Sequence, residues 1–354
     1  MSQPQPLKKL LIAYGRFPPI APDLKKSLER LGIEVQLFYT VDHEHHWFYR
    51  RVIRVINRYA RSLRLIPRGG DLFAQHPFNL RNFVASNFEQ ACTQFQPDAV
   101  FVIHGLDFGV PYLSSLTVPK IGWHIEPGDE REFLIRNAKS LDVYNSFSQA
   151  SVDLLVSAGF DGRYLCHAVD EDRFFPIPQA EQPIDVCFVG NWSPWREEVV
   201  KASLQVTQNV ALYGDQWLKK STLEPALFQR IYKGKEIVGP ELNDLLSRAK
   251  VVLNASRIKA SHGLNMRFFE VLATASVLLT DEVTEIDRHF EPDVDLVVYT
   301  DTAQLQQKLQ LLLASPELRQ RISAAGYQKV MDHHTYGAMA AQLMAQFESL
   351  ARSA

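Results

Sequence analysis

The chain has 354 residues, 46% of them hydrophobic and 22% charged, with a formal net charge of -2. That length and apolar content can fill two cores of ordinary size, and the near-neutral balance excludes a global pull toward nucleic acid or acidic membranes. Cys92, Cys166 and Cys187 are too few and scattered for a disulfide framework or zinc site, and Leu10–Ala13 is too short for a signal peptide or membrane span, so a soluble cytoplasmic protein is expected.

Taken in chain order, short apolar runs alternate with helical patterns, as in parallel sheets with helices on both faces. Leu10–Ala13, Val35–Phe38, Ala99–Ile103, Ile121–Trp123 and Val143–Tyr144 read as a first set of strands. The stretch from Phe174 to Pro183, with Pro176 and Pro178 between, has the composition of a linker. A second set follows at Val186–Val189, Val210–Tyr213, Ile237–Val238, Val251–Leu253, Val277–Leu279 and Leu296–Val298. The expected fold is α/β, with two Rossmann-like doubly wound domains, 1–176 and 177–335, facing a central cleft. Residues 336–354 form a last helix with Met339, Leu343, Met344, Phe347 and Leu350 on one side.

Within the first half, Tyr49–Gly70 carries Arg50, Arg51, Arg54, Arg58, Arg61, Arg64 and Arg68 and no acidic residue. Val52, Val55, Ile56, Tyr59, Leu63 and Ile66 recur at helical spacing opposite Arg51, Arg54, Arg58 and Arg61, which makes a basic amphipathic helix. Three readings stay open: peripheral contact with an anionic membrane, an anionic acceptor, or an apolar stripe packed on the sheet with the arginines in water. His43, His45 and His46 form a local metal candidate, for which a solvated loop is the simpler reading. No metal is assigned.

Candidate site residues follow the strands directly. Gly15 lets backbone approach a phosphate or sugar. His104 and His124 sit at strand ends, with Glu126 and Asp129 beyond, and supply candidate acid–base groups. In the second half, Ser261–Leu264 leads from a strand into a helix starting near Asn265, so the backbone N–H groups of His262, Gly263 and Asn265 favour an anion such as a diphosphate. Arg267 adds positive charge, and Glu270, one turn on, can accept from a pair of ribose hydroxyls. The alternative is an exposed ion pair between Arg267 and Glu270 on a helix surface.

The ordered series Asn265-x-Arg267-x-Phe269-Glu270, Leu278-Leu279-Thr280-Asp281, Phe290-Glu291-Pro292, Tyr299-Thr300-Asp301, Ala325-Gly326 and His334-Thr335-Tyr336 resembles the C-terminal domain of CgeB-like glycosyltransferases. These are related to the family 4 retaining glycosyltransferases of GT-B fold. The resemblance implies a nucleoside-diphosphate sugar donor, UDP by default, and a hydroxyl acceptor held by the first domain. It further implies retention of anomeric configuration without a metal, no nucleic-acid partner, and a last helix crossing back to the first domain. It places Glu270 on the donor ribose and His262 where a first glutamate is usual. Phe188–Arg196 resembles the loop that supplies cations to the diphosphate, with Asn191 in place of an arginine and Arg196 near the usual lysine. Here the alternative is an Arg196 pair with Glu197 or Glu198. Glu236–Leu242, including Val238, resembles the segment whose backbone reads the base. Asp170-Glu171-Asp172 resembles an interdomain segment rather than a metal motif, and Ala275 replaces a usual glycine, implying an altered backbone path. Two other functions fit the same fold: a sugar-nucleotide epimerase or hydrolase, and a non-catalytic nucleotide-sugar-binding protein.

Overall fold

The computed structural model describes residues 7–15, 20–43, 46–104, 110–125, 131–178, 181–259 and 262–353. The described residues form twelve strands in two separate sheets, ten of them from the apolar runs. The first sheet comprises β1 (Lys9–Tyr14), β2 (Glu34–Tyr39), β3 (Ala99–Ile103), β4 (Lys120–His124), β5 (Val143–Ser146) and β6 (Gly162–Tyr164). The second comprises β7 (Ile184–Val189), β8 (Val210–Tyr213), β9 (Tyr232–Gly234), β10 (Ala249–Asn254), β11 (Leu278–Asp281) and β12 (Val297–Tyr299). All pairings within both sheets are parallel. Strands buried on both faces are mostly apolar: β3 is apolar and buried at every position, and β4 is buried throughout with Lys120 and His124 at its ends.

The strand orders are β2-β1-β3-β4-β5-β6 and β12-β11-β10-β7-β8-β9. Each order reverses once: between β1 and β3 in the first sheet, and between β7 and β10 in the second. At such a reversal the loops leaving the two adjacent strands diverge to opposite faces and open a crevice beyond their C-terminal ends.

The chain divides into two units, one of residues 1–146, 150–165 and 340–354, the other of 147–149 and 166–339. The last helix, Tyr336–Ser353, therefore carries the chain back into the first unit. There Gln346 exchanges hydrogen bonds with Asn145 at the end of β5, at 2.9 and 3.0 Å, both side chains buried. The second unit has a core on each face of its sheet, one around Trp217, Phe188 and Tyr299 and one around Phe268, Phe269 and Leu272.

One expected strand is absent. Ile237–Val238 is not extended sheet; Val238 caps the helix Gly239–Ser247, Gly239 takes φ +62°, and the Val238 side chain is exposed. The β-branched pair imitates a strand, but the helix start takes its backbone. The third strand in that sheet is β9, a short edge strand with no apolar run, and β6 has the same character.

Ser276 N–H donates to Val271 O at 3.3 Å and Ala275 N–H to Leu272 O at 3.0 Å, which is a Schellman ending of the helix Met266–Ala273. Ala275 adopts φ +52°, a left-handed conformation that costs a β-carbon what it would not cost glycine.

Candidate functional site

At the reversal of the second sheet, β7 runs into the loop Gly190–Ser193 and the helix Pro194–Leu204, whose first turn is fixed by Pro194 and the Ser193 hydroxyl accepting from Arg196 N–H. The neighbouring β10 runs into a loop ending at Asn265, whose side chain accepts from Arg267 N–H at 3.0 Å and caps the helix Met266–Ala273. The two loops are tied together. Arg196 donates from Nε to Ala255 O and from Nη1 to Asn191 O, both at 2.9 Å.

The alternative for Arg196, a pair with Glu197 or Glu198, does not form: its guanidinium donates to backbone carbonyls. Glu197 instead accepts from Trp192 Nε1 at 2.6 Å and from the Thr222 N–H and hydroxyl at 2.6 and 2.8 Å. Burial pulls the Arg196 guanidinium down to about 10; Asp281 draws it upward, while Arg257 and Arg267 push it further down. Three guanidiniums thus share one field beside the switch point. Arg267 is also felt by the buried Cys187 thiol of β7, which burial pushes up to about 12 against its pull.

Arg267 and Glu270 do pair, Nη1 to Oε2 at 2.6 Å, but the pair is not on a solvated surface: the side chains are 18% and 12% exposed. Arg267 Nε and Nη1 are buried and have no aligned hydrogen-bond acceptor among the described residues. A close but misaligned carboxylate leaves donor capacity on the guanidinium for another anion.

Asp281, at the end of β11, is a residue that motif reading leaves without a role. It accepts from Trp195 Nε1 at 3.0 Å and from Ser256 N–H at 3.0 Å. Burial raises its pKa, with these hydrogen bonds and Arg196 opposing. Tyr299 of β12 donates to Asn254 O at 2.9 Å. The ends of β7, β10, β11 and β12 are thereby locked to one another.

The 262–265 loop is positioned by a second unforeseen carboxylate. Glu285, buried, accepts from Gly263 N–H at 2.7 Å and from Gln149 N–H at 3.2 Å. Gly263 has φ +83°, and a Cβ there would lie 2.3 Å from the Phe147 ring, so only glycine fits. His262 is exposed, its Nδ1 3.4 Å from the Thr284 hydroxyl. Asn191 is exposed and orients its loop by accepting from Asp215 N–H at 2.9 Å. Val238 lies in the segment before the helix Gly239–Ser247. Arg257 and Lys259 are further cations in the β10 loop, and Lys259 Nζ lies 4.8 Å from the centre of the Trp195 ring. Basic residues alternating through a loop after a buried strand were the available signal for them.

In the first unit, Gly15 follows β1 and His104 follows β3, the two strands flanking that sheet's reversal. His104 takes φ +72°, and its ring stacks on His124 at 5.4 Å between centroids, with Phe133 against both. His124 is 3% exposed, so it is a buried group. Glu126 and Asp129 lie outside the described residues.

Asp170 Oδ1 accepts from Asp172 N–H at 3.1 Å, a local turn. His43 stacks on Phe38 and His46 on Phe78, and His45 lies outside the described residues. Among the described residues, Cys166, His289 and His334 bring ligand-type atoms within 4.8 Å of one another. Burial, with neighbouring charges, holds His289 down at about 4 and His334 at about 3, so both rings are neutral.

The family model described as glycosyl transferase-like matches residues 194–345, which include Arg196, Arg267, Glu270 and Asp281. A comparison with curated proteins finds no match. Among solved structures, a sucrose-phosphate synthase from Thermosynechococcus elongatus superposes with a TM-score of 0.70 at 15% identity, covering 98% of this chain and 100% of that one. A glycosyltransferase from Rickettsia africae gives 0.67 at 11% identity, with 98% and 100% coverage. HepE of Anabaena, solved with UDP and glucose, gives 0.64 at 12% identity, with 97% and 100% coverage. The fold is the two-domain GT-B architecture. The particular family within it stays at the level of resemblance.

Proposed function

We propose that this protein is a glycosyltransferase that moves a sugar from a nucleoside-diphosphate sugar, UDP being the default nucleotide, to a hydroxyl acceptor. The observation that carries the reading is the gathering of Arg196, Arg257 and Arg267 in one field at the β7/β10 switch point, beside the capped start of the helix Met266–Ala273. A diphosphate is the anion that matches this charge, and Glu270 lies one turn along to accept from the ribose hydroxyls. As the glycosidic bond breaks, the leaving diphosphate gains charge, which Arg196 and Arg267 stabilise. In a retaining, metal-independent reaction the same diphosphate accepts the proton of the attacking hydroxyl, so no strong base is needed. His104 and His124 at the first sheet's strand ends are then acceptor-side groups. The glycosyl transferase-like match over 194–345 and the fold shared with HepE, which was solved with UDP and glucose, support this reading.

The exposed His262, where the related motif has a glutamate, favours one competing reading: a protein that binds a nucleotide sugar without transferring it. Calorimetric titration with UDP, GDP, ADP, TDP and their sugar conjugates, first in EDTA and then with magnesium, tests the donor site. Micromolar binding of one nucleotide that survives EDTA is expected. Release of that nucleotide from its sugar conjugate in the presence of an acceptor separates transfer from binding, and absence of binding to every nucleotide would overturn the reading.

A further inference from the structure

The helix Arg54–Ser62 docks on its own unit through Ile53, Asn57 and Ala60, which are 0%, 2% and 5% exposed. Half of the apolar stripe the sequence suggests for that job faces outward instead: Ile56, Tyr59 and Leu63 are 42%, 59% and 69% exposed, and Leu65 beyond them is 72% exposed, while Val52, Val55 and Ile66 are half-buried. Seven of the fifteen large apolar side chains exposed among the described residues lie between Trp47 and Phe78. All seven arginines of Tyr49–Gly70 are exposed as well.

The segment after the helix is built rather than loose. Arg64 takes φ +58°, and Arg61 Nε donates to Gly70 O at 3.0 Å. The chain is then pinned by Asp71, which accepts from the Asn57 and Asn79 side chains. Arg61, Arg64 and Arg68 line an open cavity of about 480 Å³ together with Leu65, Ile66 and Pro67. Asp71 offsets part of the Arg61 charge and leaves the rest of the cluster basic.

We propose that this exposed segment, from Arg54 to Arg68, with its apolar and basic residues on either side of the buried Ile53, Asn57 and Ala60, is a docking surface for an anionic lipid bilayer. The exposed stripe Ile56, Tyr59, Leu63 and Leu65 enters the acyl boundary, and the arginines take lipid phosphates, with Arg61, Arg64 and Arg68 enclosing a headgroup. The commitment to lipid rests on charge and apolarity occurring together. A soluble polyanion would use the arginines and leave Leu63 and Leu65 in water, whereas a bilayer surface offers a partner to both. No helix among the described residues is long and apolar enough to cross a membrane, so the attachment is peripheral.

The test is co-sedimentation of the full chain with vesicles of phosphatidylcholine alone and of phosphatidylcholine mixed with phosphatidylglycerol, at physiological salt. Binding confined to the anionic vesicles is expected. With each arginine worth about fivefold in partitioning, replacing Arg58, Arg61, Arg64 and Arg68 together by Gln should lower binding roughly a hundredfold or more. The double substitution Leu63→Glu and Leu65→Glu, which leaves every arginine in place, should lower it at least about tenfold. These side chains are exposed, so thermal unfolding should be unchanged in the leucine variant and at most slightly lowered in the arginine variant, which loses the surface bond from Arg61 to Gly70 O. Absence of binding to anionic vesicles, equal binding to neutral ones, or indifference to the leucine substitutions would overturn the proposal. So would a concentration-dependent dimer dissolved by Leu63→Glu with no vesicle binding, which would assign the face to a second copy. Donor binding plays no part in the readout, so the outcome is independent of the transfer reaction.

Discussion

The Arg196 guanidinium donates to the carbonyl of Ala255, 59 residues further along the chain, at 2.9 Å. That bond joins the loops of β7 and β10 across the strand-order reversal and holds a cation where the two diverge. If Arg196 opposes a donor diphosphate, Arg196→Met removes a charge-assisted contact worth about 1.5–3 kcal/mol, so UDP affinity should fall about tenfold or more. Calorimetry measures this directly. Arg196→Lys should recover only part of the loss, because an ammonium cannot reproduce the forked geometry that reaches both Ala255 and Asn191.

Glu270 offers a sharper discrimination. Its ion pair with Arg267 would be structural in any reading, so loss of binding in Glu270→Ala alone does not assign the ribose. Titrating with UDP and with 2′-deoxy-UDP does. Glu270→Ala should weaken UDP binding about tenfold and the deoxynucleotide clearly less, since one hydroxyl is already missing. Equal penalties for both ligands would confine Glu270 to positioning Arg267.

Ala275 occupies a left-handed position that closes the helix carrying Arg267 and Glu270. A β-carbon in that conformation costs roughly 1–2 kcal/mol. Ala275→Gly should therefore raise stability, by about 1 kcal/mol after the entropy a glycine gains in the unfolded chain. Urea unfolding should show a higher midpoint with unchanged slope and unchanged nucleotide affinity.

Acid should destabilise the second unit through His334. Burial, reinforced by His289, His333 and Lys329, holds its folded pKa near 3, well below the unfolded value of about 6.5. As pH falls through 6.5 the unfolded chain takes the proton and the folded chain does not. The stability owed to the neutral ring is thus whole above about pH 6.5 and is lost on descending toward pH 3, at about 1.4 kcal/mol per pH unit. Urea midpoints should fall between about pH 6.5 and 5, and His334→Phe, which cannot titrate, should reduce that dependence to the part owed to His289.

Ten of the twelve strands are legible in the sequence because strands buried on both faces must be apolar along their whole length, as Ala99–Ile103 and Val251–Leu253 are. The two exceptions, β6 and β9, are three-residue edge strands whose partial exposure relaxes that demand. The same physics misleads at Ile237–Val238, where Ile237 packs against the core from a loop and Val238 is exposed. At the site, Arg196, Arg267 and Glu270 could be picked out by residue type and position after strands and at a helix start. Asp281 and Glu285 could not, because their roles depend on partners such as Trp195 and Gly263 that lie far away in the chain. The strand order β11-β10-β7-β8 is a property of long-range hydrogen bonding that no local pattern encodes. By itself the sequence determined which residues must be buried and which helices begin with capped turns; only the tertiary structure decided that the loops after β7 and β10 are neighbours, and hence that three guanidiniums share one field.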